Sequence, residues 1–312
     1  DFYAGNRIKM KKLLMEDMTN IGICLTNKEN PAANLRTELQ YLIESEFLNT
    51  FCSVGNGNTK VELYSEGTSK IEFTAHQNSV NTVKYDDSGF IEDATYIESP
   101  LYIHLIDAIT RSRNYRETEG NLGLFNMMVP SHIKDMAEKI QNAARHPIDQ
   151  KAYSLMDVST VIGGKFVYDR ESHQIVFKEG NNRFSTINVA SGIKCFGIVD
   201  LLETANFIGP NRLLIWDEPE NHLHPEWQVL FAEKLVKLAK EGVPVLATTH
   251  SPYFLQSIRF HAAKEKLTNY VNYYMPEVGE DQLSTVTDVT DDLTKVFERL
   301  SAPLGEIMDI HE

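Results

Sequence analysis

The sequence predicts an α/β fold in which a mixed, partly parallel sheet is covered by helices, with antiparallel hairpins and a mainly helical stretch ahead of it. Two observations carry that reading. The final third alternates apolar strand runs with amphipathic helices, the pattern of a parallel sheet. Upstream, two pairs of segments alternate polar and apolar residues with period two across short turns, the pattern of antiparallel hairpins.

The composition fits this class. The chain has 312 residues, 24% charged and 42% hydrophobic, ordinary values for a soluble globular protein with room for one large or two ordinary domains. A net charge of −14 argues against a chain that coats nucleic acid by itself, while leaving room for a local basic groove or a nucleic-acid-binding partner. The three cysteines, Cys24, Cys52 and Cys195, are far apart and form neither a disulfide framework nor a Cys-x-x-Cys metal site, so a reducing, cytoplasmic setting is expected. No apolar run approaches the ~20 residues that span a bilayer, so no membrane partner is expected.

Taken in order, Arg7–Met18 and Asn34–Phe51 offer apolar helix faces. Lys60–Ser65 and Lys70–Thr74, separated by Gly67, form the first hairpin, with Val80–Tyr85 as an added strand. Ala94–Ile97 is a short strand that ends at Glu98-Ser99-Pro100. Residues 101–156 read as mainly helical, with helices over Leu101–Ile109 and Ser131–Ala144 and a polar, loop-like stretch at Arg111–Asn121. Lys165–Asp169 and Gln174–Lys178 flank an Arg170-Glu171-Ser172 turn as a second hairpin. In the last third, Leu213–Trp216 and Val243–Thr248 are strands. Between them Trp227, Leu230, Phe231, Leu235 and Leu238 mark a helix closed by Gly242. The tail from Tyr270 is acidic, with Val296, Leu300 and Leu304 on a final helix.

Three short motifs carry chemistry. In the first, Leu213-Leu214-Ile215-Trp216 runs straight into Asp217 and Glu218 before Pro219 ends the strand. Ligands of open α/β sheets bind just beyond the carboxyl ends of the strands, where these two carboxylates stand. One of them can orient water on a Mg²⁺ ion while the other prepares an attacking water, a division of labour suited to nucleoside triphosphate hydrolysis. In the second motif, Cys195, Ile198, Val199 and Leu202 repeat at helical spacing, so a helix begins near Ser191. Ser191 fits the N-cap there, and Gly192 lets a backbone amide approach an anion. In the third, the strand Val245–Thr248 delivers His250 to the same sheet edge as Asp217, where an imidazole can hydrogen-bond a terminal phosphate or the attacking water.

With these motifs in this order, the sequence resembles the ABC-type ATPases, a P-loop NTPase class. Within it the chain looks like the SMC-like and OLD-like bacterial ATPases of the AAA family. Asp217-Glu218-Pro219 matches their Walker B strand and catalytic glutamate, Asn221 to His224 the D-loop, Ala190 to Lys194 the signature motif and His250 the switch histidine. The wording Asp-Glu-Pro-Glu-Asn-His-Leu-His-Pro followed by Thr-Thr-His-Ser-Pro is similar to stand-alone ATPases of prokaryotic anti-phage systems such as Septu and the retron-associated ATPases. The strong resemblance covers about residues 160–260.

The resemblance implies roles and boundaries. Residues 1–100 would be the N-terminal part of an ATPase head with its antiparallel β subdomain, 101–160 a helical insertion, and 161–312 the C-terminal part of the head. Asp217 would help hold Mg²⁺ through water, Glu218 would be the general base and His250 would sense the terminal phosphate of ATP. Two heads would dimerise face to face, or assemble further, so that Ser191, Gly192 and Lys194 reach ATP held by the opposite subunit, with Asn221 and His222 on the D-loop beside it. A separate effector such as a nuclease, and nucleic acid through that partner, are the expected associates, since no nuclease signature is present in the chain.

The sequence departs from the family in one respect: no Gly-x-x-x-x-Gly-Lys-Ser/Thr occurs. Gly55-Asn56-Gly57-Asn58-Thr59-Lys60 and Gly163-Gly164-Lys165-Phe166 have the wrong spacing and read as hairpin turns. The family places its P-loop ahead of a helix like Arg7–Met18, so the loop is expected upstream of Asp1; a P-loop-less scaffold subunit without turnover is the alternative. The Q-loop position near Glu98-Ser99-Pro100 lacks the glutamine. A DNA-repair ATPase of SMC type would carry a long coiled coil, and residues 101–156 show no sustained heptads. A transporter motor needs a membrane partner, and the divergent signature and D-loop count against it. His222-x-His224 is a weak zinc pair inside the D-loop match. Tyr253, Phe254 and Ile258 are expected to pack against the sheet, and Lys9-Met10-Lys11-Lys12 reads as a solvated helix face.

Overall fold

A computed structural model describes residues 58–65, 68–76, 79–85, 93–106, 131–145, 158–278 and 284–308. The helices expected over Arg7–Met18 and Asn34–Phe51, the basic cluster at Lys9–Lys12, the stretch Arg111–Asn121, and Cys24 and Cys52 lie outside the described residues. The chain divides into two compact units, one comprising Asp1–Trp216 with Gly242–Leu246, the other Asp217–Glu241 with Ala247–Glu312.

In the first unit the expected hairpin is β1 (Asn58–Ser65) and β2 (Thr68–His76), extended by β3 (Ser79–Tyr85) into an antiparallel sheet in the order β1-β2-β3. Glu72 and Lys84 face each other in register and pair at 3.1 Å, a cross-strand contact of opposite charges. The short strand at 94–97 is β4 (Asp93–Ile97), and it runs parallel to β8 (Arg212–Asp217), with Ala94 opposite Leu213 and Tyr96 opposite Ile215. All four of those side chains are buried together. A strand covered on both faces needs a continuous apolar run, which is why β8, with Leu213 to Trp216, lacks the period-two alternation of the hairpins. The third strand of this sheet is β9 (Val245–Thr248), with β8 in the centre. Leu214 N–H donates to Pro244 C=O at 2.9 Å and Glu218 N–H to Thr248 C=O at 3.1 Å, the same step on both chains, so β8 and β9 run in one direction. The structure is thus a mixed α/β fold with parallel strands at its centre.

α1 (Ser131–Arg145) is fastened to the start of β4 by charge. Lys139, buried, donates to Ala94 C=O at 2.8 Å and Thr95 Oγ1 at 3.2 Å and pairs with Asp93 at 3.1 Å and Asp135 at 2.9 Å. Arg212 adds a 3.2 Å contact to Asp93. Distributing one ammonium over several acceptors offsets the cost of taking it from water.

The helical stretch expected over Leu101–Ile109 opens, in its described part, as a 3-10 turn over Pro100–His104. Pro100 opens that turn and the Ser99 hydroxyl accepts from Leu101 N–H at 3.2 Å. A short α-helix, α2 (Val158–Ile162), leads into the second hairpin, β5 (Lys165–Asp169) and β6 (Gln174–Glu179). A further strand, β7 (Asn182–Ser185), is fully exposed and carries no apolar alternation, which is why its sequence gives no strand signal. Gly180, at φ +56, turns the chain back, and Arg183 of β7 reaches Asp169 of β5 at 2.8 Å. α3 (Ser191–Thr204) packs on this sheet through Gly197, where a Cβ would come within 2.2 Å of the Phe166 ring, so only glycine admits that approach.

The second unit joins α4 (Pro225–Lys240) to α5 (Pro252–Lys264), followed by the hairpin β10 (Tyr274–Val278) and β11 (Ser284–Asp288) and by α6 (Thr294–Met308). The apolar stripe expected of α4 is seen, with Phe231, Leu235 and Leu238 buried and Trp227 and Leu230 half-buried. α5 corrects one expectation. Phe254 is buried and Ile258 half-buried, whereas Tyr253 is 61% exposed, because helical rotation puts it on the other face with Phe260. Among the described residues no helix is long and apolar enough to cross a membrane.

Candidate functional site

The site of the second unit is assembled from two turns, one after β8 and one after β9. β8 ends at Asp217, and Glu218 then leaves the strand with a backbone φ of 50, a left-handed conformation that costs a non-glycine residue about 1–2 kcal/mol. The hydrogen bonds from Glu218 N–H to the carbonyl and to Oγ1 of Thr248, both 3.1 Å, hold it there. The Thr248 hydroxyl donates in turn to Asp217 Oδ1. One threonine at the end of β9 therefore ties both carboxylate-bearing residues.

The Glu218 carboxylate is held at both oxygens. Asn221 Nδ2 donates to Oε2 at 2.7 Å, and His250 Nε2 stands 3.2 Å from Oε1. Glu218 is 30% exposed and His250 80% exposed, so the pair opens to solvent. Asn221 is placed by the turn itself, its N–H donating to Glu218 C=O at 3.0 Å.

Glu220, Thr248 and Thr249 received no role from the sequence. Glu220 is buried, and its Oε1 accepts from Thr249 Oγ1 at 2.5 Å, His250 N–H at 2.9 Å and Ser251 N–H at 3.2 Å. Ser251 caps α5 by accepting from Phe254 N–H at 3.2 Å, and its hydroxyl donates to Gln228 Oε1 of α4 at 2.6 Å. The available signal was the doubled Thr248-Thr249 before His250, a pair of hydroxyls able to tie side chains to backbone at a strand end.

The remaining predicted residues are placed as follows. His222 is exposed, with φ 65, and His224 is the N-cap of α4, its Nδ1 accepting from Glu226 N–H at 3.4 Å. Among the described residues no group of three His, Cys, Asp or Glu side chains is arranged to hold a metal. In the first unit, Ser191 occupies the first helical position of α3 and Ala190 is the N-cap, without a side-chain cap bond; the expected cap is displaced by one residue. Gly192 and Lys194 are buried. Burial pushes the Lys194 ammonium below its usual value, and it has no acidic partner among the described residues. Burial first and Lys194 second push the nearby His104 imidazole down. Cys195 is buried with its thiol pushed up to about 12 by desolvation, which leaves it inert. Glu98, just after β4, takes the Tyr102 hydroxyl and stands 3.3 Å from His132 Nε2.

The donor set of the second unit suits a hard cation bound only in part by protein. Mg²⁺ is held by one or two carboxylates and keeps its remaining positions for water and phosphate oxygens. Asp217 offers a carboxylate of that kind beside Thr248, and among the described residues no group of three such side chains forms a protein cage.

Residues 193–256 match a family model described as "AAA domain, putative AbiEii toxin, Type IV TA system". The match takes in Lys194, Asp217, Glu218, Asn221, His222 and His250 and begins just after Ser191 and Gly192. No curated protein matches the chain. Among solved structures, the SMC head domain from Thermotoga maritima is similar over 74% of this chain and 73% of that chain, at 13% identity and a TM-score of 0.36. Over residues 193–256, then, the chain is similar to an AAA domain.

Proposed function

We propose that the chain is the head of an ABC-type ATPase that binds and hydrolyses ATP with Mg²⁺ and acts as a molecular switch. The observation that carries the reading is a glutamate, Glu218, held between an amide and a solvent-open imidazole one residue beyond a threonine-tied aspartate. A general base must be fixed in direction yet reachable by water, and Glu218 meets both conditions. Asp217 would hold Mg²⁺ through water, where a bound ion would offer positive charge against the charge that develops on the phosphates. Glu218 takes the proton of the attacking water, and His250 turns from Glu218 toward the terminal phosphate. Ser191, Gly192 and Lys194 contact the nucleotide of a second head, with Asn221 and His222 at that junction, so that ATP favours the closed homodimer and hydrolysis reopens it. The wording of the motifs around Asp217 and His250 supports a role in prokaryotic anti-phage defence, in the cytoplasm, with a separate effector such as a nuclease as the controlled partner. In this reading residues 1–100 and 161–312 form the head and 101–160 the insertion.

The test is phosphate release by the purified full-length protein. Glu218→Gln should abolish Mg²⁺-dependent turnover while ATP-dependent dimerisation persists. Intact protein that binds ATP without turnover would leave the scaffold reading in its place.

A further inference from the structure

We infer that Glu220 is a positioning residue that sets the placement of His250; this rests on the proposed role of His250 at the terminal phosphate. Glu220 is only 6% exposed, yet its carboxylate spends one oxygen on three donors in consecutive residues: the Thr249 hydroxyl and the His250 and Ser251 amides. The His250 side chain is 80% exposed and is therefore not held in place by packing. Besides the contact of its Nε2 with Glu218, what fixes it is its backbone, and Glu220 is the side chain that grips that backbone. The grip lies just ahead of α5, whose Ser251 N-cap adds the partial positive charge of a helix N-terminus to the three donors and offsets the burial of the carboxylate.

The second oxygen, Oε2, is buried and without a hydrogen-bond partner. All of the carboxylate's described bonds thus go to the turn that carries His250. Through the main chain, Glu220 stands two residues from Glu218, so one short turn holds both the base and the brace of its imidazole partner. A shift of the 249–251 turn moves His250 Nε2 relative to Glu218 Oε1, 3.2 Å away, and a misplacement of about 1 Å in such a constellation costs on the order of 100-fold in rate.

The experiment uses the full-length protein in five forms: wild type, Glu220→Ala, Glu220→Gln, His250→Ala and the pair Glu220→Ala with His250→Ala. Backbone hydrogen exchange without nucleotide is read first. The amide of His250 should exchange about 10-fold faster or more in Glu220→Ala, since it loses its acceptor, whereas Ser251 N–H keeps Thr249 Oγ1 at 3.0 Å and should change less. Steady-state turnover is read second. Glu220→Ala should lower kcat about 10- to 100-fold with KM changed less than about 3-fold. Glu220→Gln keeps an acceptor oxygen for the turn while putting an unpaired amide at the buried Oε2 position. It should therefore retain most of kcat and show a lower thermal midpoint. The double variant should be no slower than His250→Ala alone, because the loss passes through one residue. Should Glu220→Ala fail to fold, Thr249→Val removes one of the three donors and should give the same pattern with a loss of about 3- to 10-fold.

Unchanged kcat per folded molecule in Glu220→Ala, or losses that multiply in the double variant, would overturn the inference. Wild-type protein without Mg²⁺-dependent turnover would sink the ATPase reading and this inference with it. Accelerated exchange at His250 with unaltered turnover would sink the positioning role alone.

Discussion

Asn221 Nδ2 donates to Glu218 Oε2 at 2.7 Å, and it does so from within the same turn, three residues along the chain. The carboxylate's direction is therefore set locally, by the residue to which its own carbonyl is also bonded. Removing the amide in Asn221→Ala frees Glu218 to rotate, and kcat is expected to fall about 3- to 10-fold with KM little changed. Asn221→Asp places a like charge against the base and is expected to cost about 100-fold. Steady-state kinetics of the two variants against wild type check the order; equal activity in all three would show that the amide has no orienting role.

Lys194 makes a prediction of opposite signs for stability and assembly. An ammonium taken from water without an acidic partner weakens the fold, so Lys194→Met is expected to raise the thermal midpoint. If the side chain reaches a nucleotide phosphate of a second head, the same change removes a charged hydrogen bond and weakens ATP-dependent dimerisation about 10-fold. Calorimetry and sedimentation with and without Mg²⁺ and ATP separate the two effects, and unaltered dimerisation would remove Lys194 from the nucleotide contacts.

Asp135 gives the fold a pH dependence. Burial pushes its carboxyl up to about 6, against the pull of Lys139. Between an unfolded value of about 3.9 and that raised one, the folded chain holds a proton that the unfolded chain has lost, so stability falls as pH rises through this window. Above about 6 the loss is complete. Asp135→Asn removes the group, and its unfolding free energy should decline less between pH 4 and pH 7 than that of wild type, by up to about 3 kcal/mol. Identical pH profiles would count against the burial of this carboxyl in the folded protein.

The sequence made the central strand legible because a doubly covered parallel strand needs four apolar residues in a row, and Leu213–Trp216 supplies them just where Asp217 and Glu218 follow. His250 was legible at the end of another apolar run, Val245-Leu246-Ala247, although that strand is only half-buried. Glu220 was not, since its role depends on three donors that lie some thirty positions further on and meet it only when β8 and β9 are side by side. The start of α3 was off by one residue because Ala190, with ordinary extended angles of φ −60 and ψ 145, takes the cap position without offering a side chain. β7 gave no signal because it is held by pairing with β6 and by the Asp169–Arg183 contact, neither of which leaves an apolar period. Tyr253 was misplaced because a helix's first turn after a strand shows too few residues to fix which face is inward.

The central claim is that the rim formed by Asp217, Glu218 and His250 is where a magnesium-bound triphosphate is cleaved. The most direct measurement is a structure of the full-length protein with Mg²⁺ and an unhydrolysable ATP analogue. The account predicts Asp217 in the water shell of the metal, Glu218 within about 3 Å of a water in line with the terminal phosphate, and His250 Nε2 in hydrogen-bond reach of that phosphate. Nucleotide bound elsewhere, with Glu218 and His250 still closed on each other, would contradict it.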